Sequence, residues 1–214
     1  MKVKTKTDSE VYAGRRNWYI AGFGISLLTL IISSLMALKH TMFGWEVSIF
    51  DWINGWPTGL QTFFRIASVA KEGPVIAVIA VIIAFILRHW RLAWRLAVST
   101  IGGAALAFLL KHFIDRARPQ GLIDHVNLRW TDTGAGFPSG HVAIMTVVML
   151  TIMPYLPSRW RWTVPTGIAL VCLSRMYLGL HAPLDIIGGL AVGVLVVTTV
   201  RIMPQALRVF FRLD

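Results

Sequence analysis

Residues Trp18–Leu38 read WYIAGFGISLLTLIISSLMAL, a run with no charged side chain. About 20 apolar residues in a helix cross the roughly 30 Å of hydrocarbon in a bilayer. Lys2, Lys4, Lys6, Arg15 and Arg16 precede the run, as in a secretory signal. The apolar core of such a signal is only about 7–15 residues long, however. The stretch therefore reads as an uncleaved first membrane span.

Five more apolar runs follow: Pro74–Leu87, Leu92–Leu110, Val142–Leu156, Val164–Leu180 and Leu184–Met203. The second is short and reaches spanning length only if Leu60–Ala70 belongs to the same helix. The composition agrees with a membrane protein. Of 214 residues 56% are hydrophobic and 14% charged, against about 45–50% and 25% in soluble domains. Disorder requires low hydrophobicity, and a single cysteine, Cys172, excludes a disulfide scaffold. Continuous apolar runs do not alternate as barrel strands do. The expected fold is all-α: one polytopic domain over 1–214, with a basic segment at 1–17, six spans within 18–203 and a tail at 204–214.

The net charge of +11 would suggest nucleic acid in a soluble protein. Here its placement gives topology instead. With six spans, both termini and the loops 88–95 and 157–163 share one side. That side carries thirteen of the 21 lysines and arginines and three of the 10 acids. By the positive-inside rule it is cytoplasmic, and the expected setting is a plasma membrane with no nucleic-acid partner. Tryptophans such as Trp18, Trp90, Trp130 and Trp160 fall near span ends or in loops, where an indole meets the headgroup layer.

Three polar clusters break the apolar pattern, all expected on the outer side. Lys111–Pro119 closes the third span, Phe137–His141 opens the fourth, and Ser174–Asp185 joins the fifth and sixth. Lys111, Arg118 and Arg175 supply three cations at positions costly in lipid, and guanidinium forks fit phosphate oxygens. Pro138-Ser139-Gly140 resembles a helix start, whose first N–H groups lack intrahelical acceptors and point at any bound anion. Gly140 lets that anion approach the backbone, and Ser139 adds a hydroxyl. His181 and Asp185 stand four apart, close enough for the carboxylate to accept Nδ1–H and leave Nε2 as a nucleophile. His141, on another helix, could serve as acid and base for the leaving oxygen and for water.

Lys111-x6-Arg118-Pro119, Pro138-Ser139-Gly140-His141 and Ser174-Arg175-x5-His181-x3-Asp185 together resemble the three-part signature of the type 2 phosphatidic acid phosphatase superfamily. The motifs cover 111–185, and the six-span layout resembles the membrane-bound lipid phosphatases of that family. The resemblance implies that His181 forms a phosphohistidine, that Asp185 orients it and that His141 protonates the leaving group. It implies that Lys111, Arg118, Ser139, Gly140 and Arg175 bind phosphate. It implies no metal or other cofactor, in keeping with the lack of a carboxylate cluster suited to magnesium.

Outside the signature, His40, His89, His112 and His125 read as solvated or structural. Asp115 and Arg116, at variable positions of the first motif, read as a local pair. Lys71 and Glu72 read as an interfacial turn, Gly102-Gly103 and Gly188-Gly189 as helix-packing positions, and Cys172 as core. The expected activity is hydrolysis of a membrane lipid phosphate at the outer leaflet. Undecaprenyl diphosphate is favoured on analogy, with phosphatidylglycerol phosphate or phosphatidic acid next. A lipid phosphotransferase using the same phosphohistidine is the alternative. A non-catalytic transporter or binder would need neither histidine.

Overall fold

The computed structural model describes residues 8–68 and 73–211, with side chains over 17–68 and 76–203. The described residues form eight α-helices: α1 (Asp8–Ala37), α2 (Gly44–Asn54), α3 (Gln61–Ala67), α4 (Gly73–Ile86), α5 (Trp90–Ile114), α6 (Gly140–Ile152), α7 (Thr163–Tyr177) and α8 (Pro183–Phe211). Among the described residues there is no strand. Lys71 and Glu72 lie outside them.

Asn17–Ala37, Trp90–Gly121 and Pro183–Met203 are long and apolar enough to cross a membrane. The helices α4, α6 and α7 are shorter, at 14, 13 and 15 residues; a 3-10 turn carries α6 on to Tyr155. The second apolar run does not extend backwards as the sequence suggests. Helix α3 ends at Ala67, and Ser68 caps it with an N–H bond to the Phe64 carbonyl at 2.8 Å. Pro74 then sits in the first turn of α4. Proline is tolerated there, because its missing N–H has no helical acceptor to lose. Within one continuous helix it would remove a bond and clash with the preceding turn.

An apolar core is present, but burial departs from that of a soluble protein in two ways. Large apolar side chains on the periphery of α5 face outwards, among them Ile101, Phe108 and Phe113, the last 75% exposed. The interior holds Glu46, Arg116, Arg175, His181 and Asp185. Lipid makes outward apolar faces free of cost, whereas charges must turn inwards and find partners.

Helix α6 is central, packed on α4, α5, α7 and α8, while α1 lies along α8. Small residues set the α6–α8 distance. A Cβ added at Gly189 would meet the Ser139 carbonyl oxygen at 2.6 Å, and one at Gly193 would meet Thr146 Cβ at 2.5 Å. Their spacing of four puts both on one face, and glycine alone lets the backbones approach this closely. Van der Waals packing, the main attraction between helices in lipid, is greatest at such a seam. The consequence for function is that the start of α6 is clamped against the start of α8.

Candidate active site

The first cluster is shaped by the end of α5. Asp115 terminates that helix in the left-handed region, at φ 44°, and its N–H bonds to the Lys111 carbonyl. Aspartate tolerates this conformation better than most residues. The turn leaves Asp115 exposed and swings Arg116 inwards. The expected Asp115–Arg116 pair therefore does not form. Arg116, fully buried, instead reaches Glu46 at 2.8 Å and Asp185 at 3.0 Å. It also donates to the Thr41 carbonyl at 2.6 Å.

Glu46, also fully buried, is the counter-ion that sequence reasoning missed. Its carboxylate accepts the Phe43 N–H at 3.3 Å, at the start of α2, and the Leu184 N–H at 3.2 Å, at the start of α8. An acid at a helix N-terminus meets unpaired donors and the positive end of the dipole. The signal for it was a lone charge in an otherwise uncharged stretch, Met42–Phe50, since a carboxylate lies buried only if paired.

Asp185, in the first turn of α8, has its two oxygens divided. Oδ1 accepts from Arg116. Oδ2 accepts the Ala182 N–H at 2.9 Å and lies 3.6 Å from His181 Nδ1. The last distance places imidazole and carboxylate in contact but beyond hydrogen-bond range. Histidine 181 lies in the short connection between α7 and α8. Burial, and then the cations Arg175, Arg118 and Lys111, hold its pKa well below the ordinary 6.5. The imidazole is accordingly neutral, with a free lone pair, in the pH range where an exposed histidine would titrate.

A cavity of about 290 Å³ opens in front of it, lined by Lys111, Arg118, Gly140, His141 and His181 and closed by the loop 132–135. Ser139 is the N-cap of α6 yet makes no side-chain cap bond, and its buried Oγ has no hydrogen-bond partner. The Ser139 N–H donates to the Asp185 carbonyl at 2.9 Å, which ties the two helix starts together. The opening N–H groups of α6 are of the kind that bind anions.

The three cations are gripped from the loop. Lys111 Nζ donates to the Ala135 carbonyl. Arg118 donates from Nε to Gly134 O at 3.0 Å, from Nη2 to Thr133 O at 2.9 Å and from Nη1 to Leu180 O at 3.0 Å. Arg175, in the last turn of α7, donates to Ser68 Oγ at 3.0 Å, while its buried Nε has no partner. Asp132 joins the two arginines. Its Oδ2 lies 3.2 Å from Arg118 Nη2 and 3.0 Å from Arg175 Nη2. Its own burial favours protonation, but Arg118 and Arg175 outweigh that and hold the carboxyl below its usual range.

The loop itself is clipped to the ends of α2 and α7. Arg129 donates to the carbonyls of Asn54 and Tyr177, both at 2.7 Å, and of Trp56 at 3.0 Å. Asn54 in turn accepts the Asn127 N–H at 2.8 Å. Gly136 lies where a Cβ would meet Ala117 O at 2.9 Å and Asp185 Oδ2 at 3.1 Å, so the chain passes directly over the carboxylate.

The structure thus brings together all eight sequence-derived residues, although not all face the cavity. Ser139, Arg175 and Asp185 stand behind its lining. Glu46, Arg116, Asp132 and the carbonyls of 133–135 were not foreseen. His40, His89, His112 and His125 are exposed and apart from the site, and Cys172 is buried among core side chains.

Three cations, two histidines and a carboxylate gather at one cavity, in a chain whose described residues form helices and no strand; such a set suits a bound phosphate group. Residues 92–208 match the PAP2 superfamily, and the chain belongs to it. It is 29% identical over 177 residues to an undecaprenyl-diphosphatase of Sulfolobus acidocaldarius, covering 78% of this chain and 83% of the relative. Its fold is similar to that of LpxE of Aquifex aeolicus, with a TM-score of 0.69, 24% identity, and 74% and 96% of the two chains covered. It is also similar to the PAP2-type phosphatidylglycerolphosphate phosphatase of Bacillus subtilis, with a TM-score of 0.61, 22% identity, and 84% and 96% covered.

Proposed function

We propose that the chain is an integral-membrane lipid phosphatase that hydrolyses a phosphomonoester or diphosphate through a phosphohistidine. Undecaprenyl diphosphate is the favoured substrate, supported by the Sulfolobus relative; phosphatidylglycerol phosphate and phosphatidic acid come next. The observation that carries the reading is the buried, neutral His181 in a cation-lined cavity, with Asp185 behind its Nδ1.

In this reading the His181 Nε2 lone pair attacks phosphorus and the bond to the lipid oxygen breaks. His141 gives that oxygen its proton. The imidazolium that forms is stabilised by Asp185, whose contact tightens as positive charge develops. Lys111, Arg118, Arg175, the Ser139 hydroxyl and the amide at Gly140 hold the transferring group's equatorial charge. Water, deprotonated by His141, then attacks phosphorus and breaks the P–N bond, releasing phosphate and free His181. No metal takes part.

The proposal includes six spans, with α1 and α4–α8 crossing a plasma membrane, both termini cytoplasmic and the cavity at the outer interface. A cysteine placed at Asn127 then labels from outside; protection there overturns this orientation. The activity is tested by phosphate release from purified protein in detergent with chelator, comparing the three lipids with wild type and His181→Ala. Release from one lipid that the substitution abolishes supports the reading. Full activity in His181→Ala sinks it.

A further inference from the structure

Arg118 and Arg175 are both buried, and the oxygen they share is Asp132 Oδ2. A single anionic oxygen between two guanidinium groups is the arrangement that a bound phosphate oxygen would adopt. Asp132 is 26% exposed and lines the cavity, so it borders the space a substrate enters. Its other oxygen, Oδ1, accepts the N–H of the next residue, Thr133, at 3.0 Å. Asp185 cannot take its place, because its carboxylate is engaged with Arg116 and the Ala182 N–H.

We propose that Asp132 is a specificity-determining residue: its carboxylate occupies the anion position on Arg118 and Arg175, and only a phosphate group carrying more than one negative charge displaces it. The proposal rests on the reading of the two arginines as phosphate ligands. The bilayer around the site consists largely of phosphodiester lipids, each with one negative charge on its phosphate. Exchanging the carboxylate for such a group replaces one charge with one charge and still requires dehydration of the lipid phosphate and movement of the loop. A phosphomonoester carries about −1.5 to −2 at neutral pH, and a diphosphate more. These gain in Coulomb energy at two buried cations and at Lys111. Asp132 then swings towards solvent with its Thr133 bond intact. A carboxylate that excludes the abundant phosphodiesters keeps the cavity open to the scarce substrate.

The test uses the full chain in detergent micelles and begins with wild type, Asp132→Asn and Asp132→Glu. Inorganic phosphate and phosphatidylglycerol, an anionic phosphodiester, serve as competitors of hydrolysis of whichever of the three lipids the wild type cleaves. In the wild type, phosphate inhibits and phosphatidylglycerol does not. In Asp132→Asn the inhibition constant for phosphate falls about tenfold, the size expected for removing one charge near the anion, and phosphatidylglycerol becomes a competitive inhibitor. Asp132→Glu keeps the charge and stays close to wild type.

An unchanged or weakened phosphate affinity in Asp132→Asn overturns the proposal and makes Asp132 a clamp that orients the arginines. Inhibition of the wild type by phosphatidylglycerol overturns it without recourse to any variant. Phosphate binding is also read as a thermal shift, which needs no turnover. Equal shifts in wild type, Arg118→Ala and Arg175→Ala would mean that the phosphate-ligand reading itself had failed, whereas tighter binding in Asp132→Asn with an active His181→Ala would remove the nucleophile and leave Asp132 standing.

Discussion

Arg116 and Asp185, 69 positions apart in the chain, form an ion pair of 3.0 Å in which neither side chain reaches solvent. Glu46 completes the group from a third element, so one guanidinium holds α2, the end of α5 and the start of α8 in register.

Removing that guanidinium leaves two carboxylates buried with no counter-ion. Arg116→Met is expected to destabilise the folded protein by about 3–5 kcal/mol, read as a fall in the melting temperature in detergent. The double variant Arg116→Met/Glu46→Gln recovers part of the loss, because one of the stranded charges has gone. Recovery of nothing would show that the pair contributes by shape alone.

The two histidines are expected to fail differently. His181→Ala gives no phosphoenzyme with any substrate. His141→Ala retains phosphoenzyme formation but loses about 10²–10⁴ in turnover on a lipid substrate. With p-nitrophenyl phosphate, whose leaving group needs no proton, phosphoenzyme formation slows much less, while hydrolysis of the intermediate slows as with the lipid. Rapid-quench trapping of the labelled intermediate separates the two steps, and equal losses in phosphoenzyme formation on both substrates would remove His141 from the acid role.

The pH dependence follows from the lowered pKa of His181. The free enzyme keeps this imidazole neutral below 6.5, the ordinary value, so kcat/KM shows no acid limb at 6.5 attributable to it. Stability carries the same signature. The unfolded chain binds a proton at His181 more readily than the folded one, so stability is fully present above about 6.5 and falls as the pH drops towards the folded value. Melting curves between pH 7.5 and 5, compared with those of His181→Gln, isolate this contribution; identical slopes would show that His181 titrates normally.

The α6–α8 seam predicts a contrast between two glycines. Gly189→Ala drives a Cβ against the Ser139 carbonyl, whereas Gly24 has nothing within 4 Å. The first substitution is expected to cost about 1–3 kcal/mol through overpacking and to lower turnover by displacing the start of α6. Gly24→Ala should leave both melting temperature and turnover close to wild type.

The sequence revealed most of what is local or periodic. Apolar runs located α5 within a few residues and the apolar parts of α1 and α8, although α1 begins at Asp8 and α8 ends at Phe211, in charged sequence beyond those runs; the three motifs identified side chains that the fold collects around one cavity. It could not reveal what Glu46 meets across the fold, Arg116 and the Leu184 N–H, which lie 70 and 138 positions away. A lone acid carries no mark of the arginine it will meet. The Asp115–Arg116 pairing erred because adjacency in sequence was read as adjacency in space, and the left-handed turn at Asp115 sends the two side chains apart. The second span was misjudged by hydropathy, which does not register that Pro74 starts a helix more readily than it continues one.

The grip on Arg118 and Lys111 has a consequence for how this site can change over time. Carbonyl oxygens of Thr133, Gly134 and Ala135 hold them, and a carbonyl is common to every residue type. Side chains at 133 and 135 can therefore be exchanged without loosening either cation, while Gly134, at φ 78°, is constrained by its conformation. The roof over the cavity can be re-upholstered for a different lipid while the frame that holds the charges stays in place.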